Sequence, residues 1–142
     1  MSMARTQWSD FSDDVNREFF DAAARGELHI QACAACGLAR HPPQLRCPSC
    51  RSADVVWEPA SGQGRVWSFV TAHPPLPSGF AELVPLTVVL VELDDPAGIR
   101  LLGTLLEVAA DEVPAIGDPV EAVFRSVADG PVLPHFRLRH GR

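Results

Sequence analysis

The chain has 142 residues, 46% of them apolar and 21% charged, with a net charge of −6. That is a soluble, folded composition, enough for one ordinary domain or two very small units, and its sign weighs against a surface that neutralises phosphates. All twelve basic residues are Arg, with no Lys or Tyr, which excludes Schiff-base chemistry, a catalytic Lys and a Tyr general acid.

The opening stretch "MSMARTQWSDFSDD" lacks the apolar core and small-residue cleavage site of a secretory signal. The longest apolar run, Leu83 to Val91, is too short to cross a bilayer. A cytoplasmic location without membrane contact is therefore expected. "SDDVNREFFDAAARGEL" predicts an amphipathic helix. Ser12 suits its N-cap, Asp13 and Asp14 its positive end, and Arg25 with Gly26 its C-terminus. Val15, Phe19 and Ala22 form the apolar stripe, widened by Phe20. Two adjacent Phe exceed what a lone short helix can hide, so it must pack on the rest of the chain or on a partner subunit.

"ELHIQAC" alternates as a strand and leads into "CAACGLARHPPQLRCPSC", which holds all four cysteines as two C-x-x-C pairs ten residues apart. In a reducing compartment such a set points to metal rather than disulfides. Each C-x-x-C turn offers two corners of a tetrahedron, so Cys33, Cys36, Cys47 and Cys50 are the expected Zn²⁺ ligands. Iron, a metal-free remnant and thiol redox chemistry are the alternatives. Gly37 follows the first pair and Arg51 takes the same place after the second, a less favourable residue there. Four thiolates close the coordination shell, so the metal is expected to be structural. Arg40, His41, Arg46 and Arg51 lie in a stretch without Asp or Glu. They either offset the thiolate charge or contact a phosphate-bearing ligand or acidic partner.

"VVWEP" leaves the second pair as another strand. Five more strand-like runs follow: 65–73, 85–93, 100–108, 118–127 and 132–140. They are separated by "PPLPSG", "DDPAG", "PAIGD" and "ADGP". Five strands with short turns predict a small closed barrel of the OB type, with an open sandwich as rival. Gly103 marks a bulge or close backbone approach. In "RVWSFVTAH" both faces are largely apolar, so Trp67, Phe69 and Thr71 are candidate contacts for a ligand or partner, or else an interior strand. The five histidines are scattered, with no recognisable acid–base pairing. Ser61, Ser68 and Ser78 lack a nucleophile elbow, and "SGQGR" is too short for a phosphate loop.

The order of an N-terminal helix ending in "ARGELHIQAC", then "C-x-x-C-G…PP…C-P-x-C", then "SGQGRVWSFVTAH", "P-L-V-LVEL" and "IGDPVEAVF" resembles the zinc-ribbon-plus-OB-fold proteins known as domain of unknown function 35. "SFV" stands where that family often has "SFT". The resemblance covers nearly the whole chain. It implies a mainly β fold with an N-terminal helical segment (1–27), a rubredoxin-like zinc ribbon (28–58) and a five-stranded OB-fold barrel (59–142). It also implies a non-enzymatic subunit docked on a thiolase-superfamily enzyme that makes or cleaves carbon–carbon bonds on acyl-CoA, such as the retro-aldol removal of steroid side chains. The barrel would help shape a CoA channel, and a hot-dog-fold enoyl-CoA hydratase is a further expected partner. The competing reading is a zinc-ribbon/OB module that binds nucleic acid by stacking bases, against which the net charge and absence of Lys both weigh.

Overall fold

The computed structural model describes residues 13–73, 75, 86–109, 112–127 and 129–139. The proposed N-cap Ser12, Ser78, His140 and most of the "PPLPSG" connection lie outside the described residues.

The helix α1 (Arg17–Ala24) begins later than the charge pattern suggests. The Asp13 carboxylate accepts the N–H groups of Val15 and Asn16, each at 3.0 Å. This bends residues 13–16 into a turn, because a short acidic side chain competes with the helix for nearby amides. The C-terminus follows the expectation. Gly26 takes φ +79°, and the Gly26 and Glu27 N–H groups return to the carbonyls of Ala23 and Ala22. Phe19, Ala22 and Ala23 are buried, and α1 packs on both β1 (Leu28–Cys33) and β8 (Val132–Leu138), so it ties ribbon to barrel.

A three-stranded antiparallel sheet places β1 between β2 (Ala39–Arg40) and β3 (Val55–Ala60). Register runs from Leu28↔Ala60 to Cys33↔Val55, carrying β1 straight into the first cysteine. The second sheet contains β4 (Gln63–Ala72), β5 (Leu86–Leu93), β6 (Arg100–Thr104), β7 (Pro119–Ser126) and β8, in the order β6-β5-β4-β7-β8. A parallel bridge, Leu105↔Phe136, joins its two ends. That makes a nearly closed five-stranded barrel of the OB kind, and the open sandwich is set aside. One core runs through both parts, from Phe19, Leu28 and Ile30 to Val66, Val89, Val91, Val120 and Phe136.

Closure between β6 and β8 is partial, and the reason is local. Leu105 N–H bonds to Thr87 C=O and Leu93 N–H to Ile99 C=O, so Arg100, Leu102 and Thr104 turn their backbone groups away from β5. On β8 the bond from Arg139 N–H to Pro119 C=O sets Pro134 and Phe136 on the side away from β7. Phe136 accepts from Leu106 N–H at 2.8 Å, and Thr104 N–H donates to His135 Nδ1 at 3.3 Å. Pro134, one step further along, has no N–H to offer. The seam is closed at one end and open at the other.

Candidate metal centre and docking face

The four cysteine sulfurs converge within 4.8 Å of one another. Cys33 and Cys50 stand 3.5 Å apart, and Cys36 and Cys47 3.6 Å apart. A tetrahedral ion with Zn–S bonds of about 2.3 Å needs sulfurs about 3.8 Å apart, so the four fit zinc closely. Two knuckles of the same build create this geometry. Gly37 N–H bonds to Cys33 C=O and Arg51 N–H to Cys47 C=O, both at 2.8 Å. Cys33 N–H reaches Leu38 C=O and Cys47 N–H reaches Ser52 C=O, both at 2.9 Å. Gly37 adopts φ +81° and Arg51 is driven to φ +68°, a left-handed conformation that costs a non-glycine residue about 1 kcal/mol or more.

The donors are tuned for a cation. Cys36 N–H points at Cys33 Sγ, and Ser49 N–H at Cys47 Sγ, both at 3.4 Å. The Cys36 amide holds the Cys33 thiol down to about 6, and the Cys50 amide lowers Cys47. Cys50 is pulled down by the Ser52 amide, yet its sulfur neighbours push it up to about 11. Four sulfurs this close cannot all ionise on their own, and a dication removes that conflict. The shell is all thiolate, leaving no open position for Lewis-acid chemistry.

The basic residues between the knuckles serve the scaffold where the structure places them. Arg40 is 5% exposed, and its Nη2 donates to Gln44 C=O while Nε and Nη1 make no hydrogen bond. Arg46 Nη1 donates to Arg51 C=O and braces the second knuckle. Gln31, a polar residue that the cysteine pattern overshadows, is 2% exposed, and its Oε1 accepts the Gln44 N–H at 2.8 Å. It anchors the loop between β2 and the second knuckle to β1.

His41 lies at 5.0 Å against the Phe19 ring, its Nδ1 buried without a partner. Burial pushes its imidazole down to about 4 from an ordinary value of 6.5. Between those values the unfolded chain binds the extra proton, so stability is full above about pH 6.5 and falls as the pH drops towards 4. The contribution is about 3 kcal/mol. His41→Gln should flatten the stability profile between pH 5 and 6.5, measured by urea unfolding at matched zinc content. An unchanged slope would refute this assignment.

The expectation of unpaired histidines fails at His29. Its Nδ1 stands 3.1 Å from Glu18 and its Nε2 3.2 Å from Glu27. These contacts join α1 to β1. Ser61, which lines the same recess, donates instead to Asp95, so no serine nucleophile is poised on this histidine.

A β-bulge between Val66 and Ser68 decides how β4 presents its side chains. Phe69, opposite Val89, packs on the core, and Thr71 lies opposite Thr87. Trp67 is turned outward, 46% exposed, with the Arg100 guanidinium 3.8 Å over its ring. The rows Ser68–Leu90–Leu102 and Val70–Val88–Thr104 share the outer face of β4–β6. Val70 and Leu102 are 62% and 64% exposed there. With Trp67 they make an apolar outer face whose charges are confined to the Arg65–Glu92–Arg100 row.

No described helix is long and apolar enough to cross a membrane. Residues 20–56 match the model of the ChsH2 rubredoxin-like zinc ribbon domain, and residues 57–125 that of the ChsH2 C-terminal OB-fold domain. Among curated proteins, the chain is 40% identical over 126 residues to a probable enoyl-CoA hydratase alpha subunit of Thermomonospora curvata. It is 38% identical over 111 residues to the 3-oxo-4,17-pregnadiene-20-carboxyl-CoA hydratase alpha subunit of Mycobacterium tuberculosis. These matches cover 87% and 78% of this chain but only 38% and 34% of those proteins. Among solved structures, a chain of the "Ltp2-ChsH2(DUF35) aldolase" superposes with a TM-score of 0.78 at 38% identity, covering 92% of this chain and 98% of that one. A DUF35 protein of unknown function from Sulfolobus solfataricus superposes with a TM-score of 0.61 at 12% identity over 92% of this chain and 89% of its own, a likeness of fold. With both halves of the molecule matched, this chain belongs to the ChsH2 (DUF35) family of zinc-ribbon and OB-fold proteins.

Proposed function

We propose that this chain is a non-catalytic, cytoplasmic subunit that docks on a thiolase-like enzyme acting on acyl-CoA. One observation carries the reading: the chain spans 98% of a 38%-identical chain in an assembly named as an aldolase. Retro-aldol cleavage of a steroid side-chain CoA thioester is the reaction favoured, supported by that name and by the pregnadiene-carboxyl-CoA named for the mycobacterial relative. The zinc ribbon is the rigid part of the subunit, and the barrel supplies the contact face and helps shape the CoA channel. The nucleic-acid reading finds little support on the outer face of β5 and β6, where Val88, Leu90 and Leu102 are apolar and the one cation, Arg100, is paired with Glu92. A hot-dog-fold hydratase as additional partner has support only from the hydratase names of the two curated relatives, of which this chain spans about a third.

The test uses the chain purified alone and co-expressed with the thiolase-like protein of its own genome. The isolated chain should leave acyl-CoA untouched, and the pair should form a complex that cleaves it. Trp67→Ala should weaken the complex about thirtyfold, the usual loss for a buried interfacial Trp, with zinc content and melting temperature nearly unchanged. Turnover by the isolated chain, or a complex indifferent to Trp67, would sink the reading.

A further inference from the structure

The open end of the barrel seam is an unfinished strand edge facing an apolar groove. The groove, about 490 Å³, lies between α1, the β2–knuckle loop and the barrel. Phe19, His41 and Pro42 form one wall, Leu133 and Pro134 the other, with Leu102 on the β6 side. The phase of β6 pairing turns the Leu102 N–H and C=O away from β5 and towards this groove. Among the described residues β6 has no strand partner there beyond the Leu105↔Phe136 bridge, since Pro134 supplies no donor. Arg100 is the one charged residue among the described ones lining the groove.

We infer that this seam is a strand-addition site, taking a short extended segment of the thiolase-like partner between β6 and β8. The occupant follows from the chemistry of the edge. A hydrocarbon chain would fill the apolar walls but leave the Leu102 amide and carbonyl unpaired, whereas a peptide backbone satisfies both while its side chains fill the walls. Among the described residues no carboxylate lines the groove, and the Arg100 guanidinium is already held over Trp67 and beside Glu92, so the segment carries apolar residues. At about 3.3 Å per residue, three or four residues reach along the open part of β6. Such edges are otherwise a liability that proteins cover. The site rests on the proposed thiolase-like partnership and says where that partner enters.

Amide hydrogen exchange on the full chain, alone and in complex with the co-expressed thiolase-like protein, tests it. The Leu102 amide should exchange rapidly in the free chain and at least about tenfold more slowly in the complex, a change of one backbone hydrogen bond. Leu102→Pro removes the N–H that faces the groove together with the side chain, so Leu102→Val, which keeps the N–H, is its control. The Pro variant should bind the partner about tenfold more weakly than the Val variant, with zinc content and melting temperature as folding controls. Leu133→Glu, on the opposite wall, should weaken binding without touching the Leu102 amide. A stable complex in which Leu102 still exchanges freely overturns the strand-addition site and leaves the partnership standing. Protection that appears on adding a long-chain acyl-CoA to the free chain assigns the groove to a lipid chain and overturns it as well. Failure of the wild-type pair to associate overturns both the site and the partnership.

Discussion

Removing zinc should unfold the ribbon and abolish assembly, while the barrel, if it stays folded, loses the support of α1. The three-stranded sheet is small, and β2 contributes only two residues. Its second knuckle is reached by a loop held chiefly by the Gln31–Gln44 bond and the Arg40 and Arg46 contacts. A metal bound by four thiolates contributes on the order of 10 kcal/mol to folding of such a segment. Cys33→Ser and Cys47→Ser should be the most damaging single changes, because each removes a sulfur that is 1% exposed and receives an amide hydrogen bond. Cys36 and Cys50 are exposed, so the same replacement there should cost metal affinity with less disruption of packing. Chelation should therefore lower the melting temperature sharply and release the partner, measured by calorimetry and gel filtration. A chain that keeps its stability without metal, or a Cys33→Ser complex that assembles normally and only slows a chemical step, would show that the centre is not structural.

The metal centre was legible in the sequence because its geometry is local. A C-x-x-C turn sets the separation of its own sulfurs, and Gly37 against Arg51 even foretold the unequal ease of the two knuckles, seen in the φ of +68° imposed on Arg51. The barrel strands were legible for a similar reason, since turn residues punctuate them. What escaped depends on pairing. A single inserted residue near Trp67 sends that ring outward while Phe69 packs inward, so the simple alternation of Trp67, Phe69 and Thr71 did not describe the face. Arg40 reads as a charge that offsets the thiolates or meets a ligand, until β2 pairs with β1 and buries it. Asp13 reads as a residue of the first helical turn, yet its carboxylate captures two amides and delays the helix. Pro134 stands inside a run read simply as a strand, and its missing N–H leaves one side of that strand unpaired. Which neighbour it fails to pair became plain only once β6 and β8 met across the barrel.

Phe136→Ala should be the costliest single change in the barrel, about 3–5 kcal/mol, because a fully buried ring leaves a cavity that a closed sheet cannot collapse around. The ring also sits where the barrel completes itself. Phe136 is the residue of β8 that bridges Leu105, and its side chain lies over Gly103 of β6. A β-carbon at Gly103 would stand 2.8 Å from Phe136 Cδ2 and 3.3 Å from the His135 Cα, closer than packed atoms tolerate. The glycine therefore admits the ring, and its place in the strand reflects side-chain fit across the seam as much as sheet curvature. Gly103→Ala should cost about 1–3 kcal/mol by overpacking. Paired with Phe136→Leu, which frees the space the methyl needs, it should cost clearly less than the two changes summed, a coupling that urea unfolding of the four proteins resolves. Simple additivity would mean that the two side chains do not share the space the structure assigns them. The seam groove lies a short step along β8 from this plug, at Leu133 and Pro134. Phe136→Ala should therefore weaken partner binding along with stability, whereas Leu102→Pro should weaken binding alone.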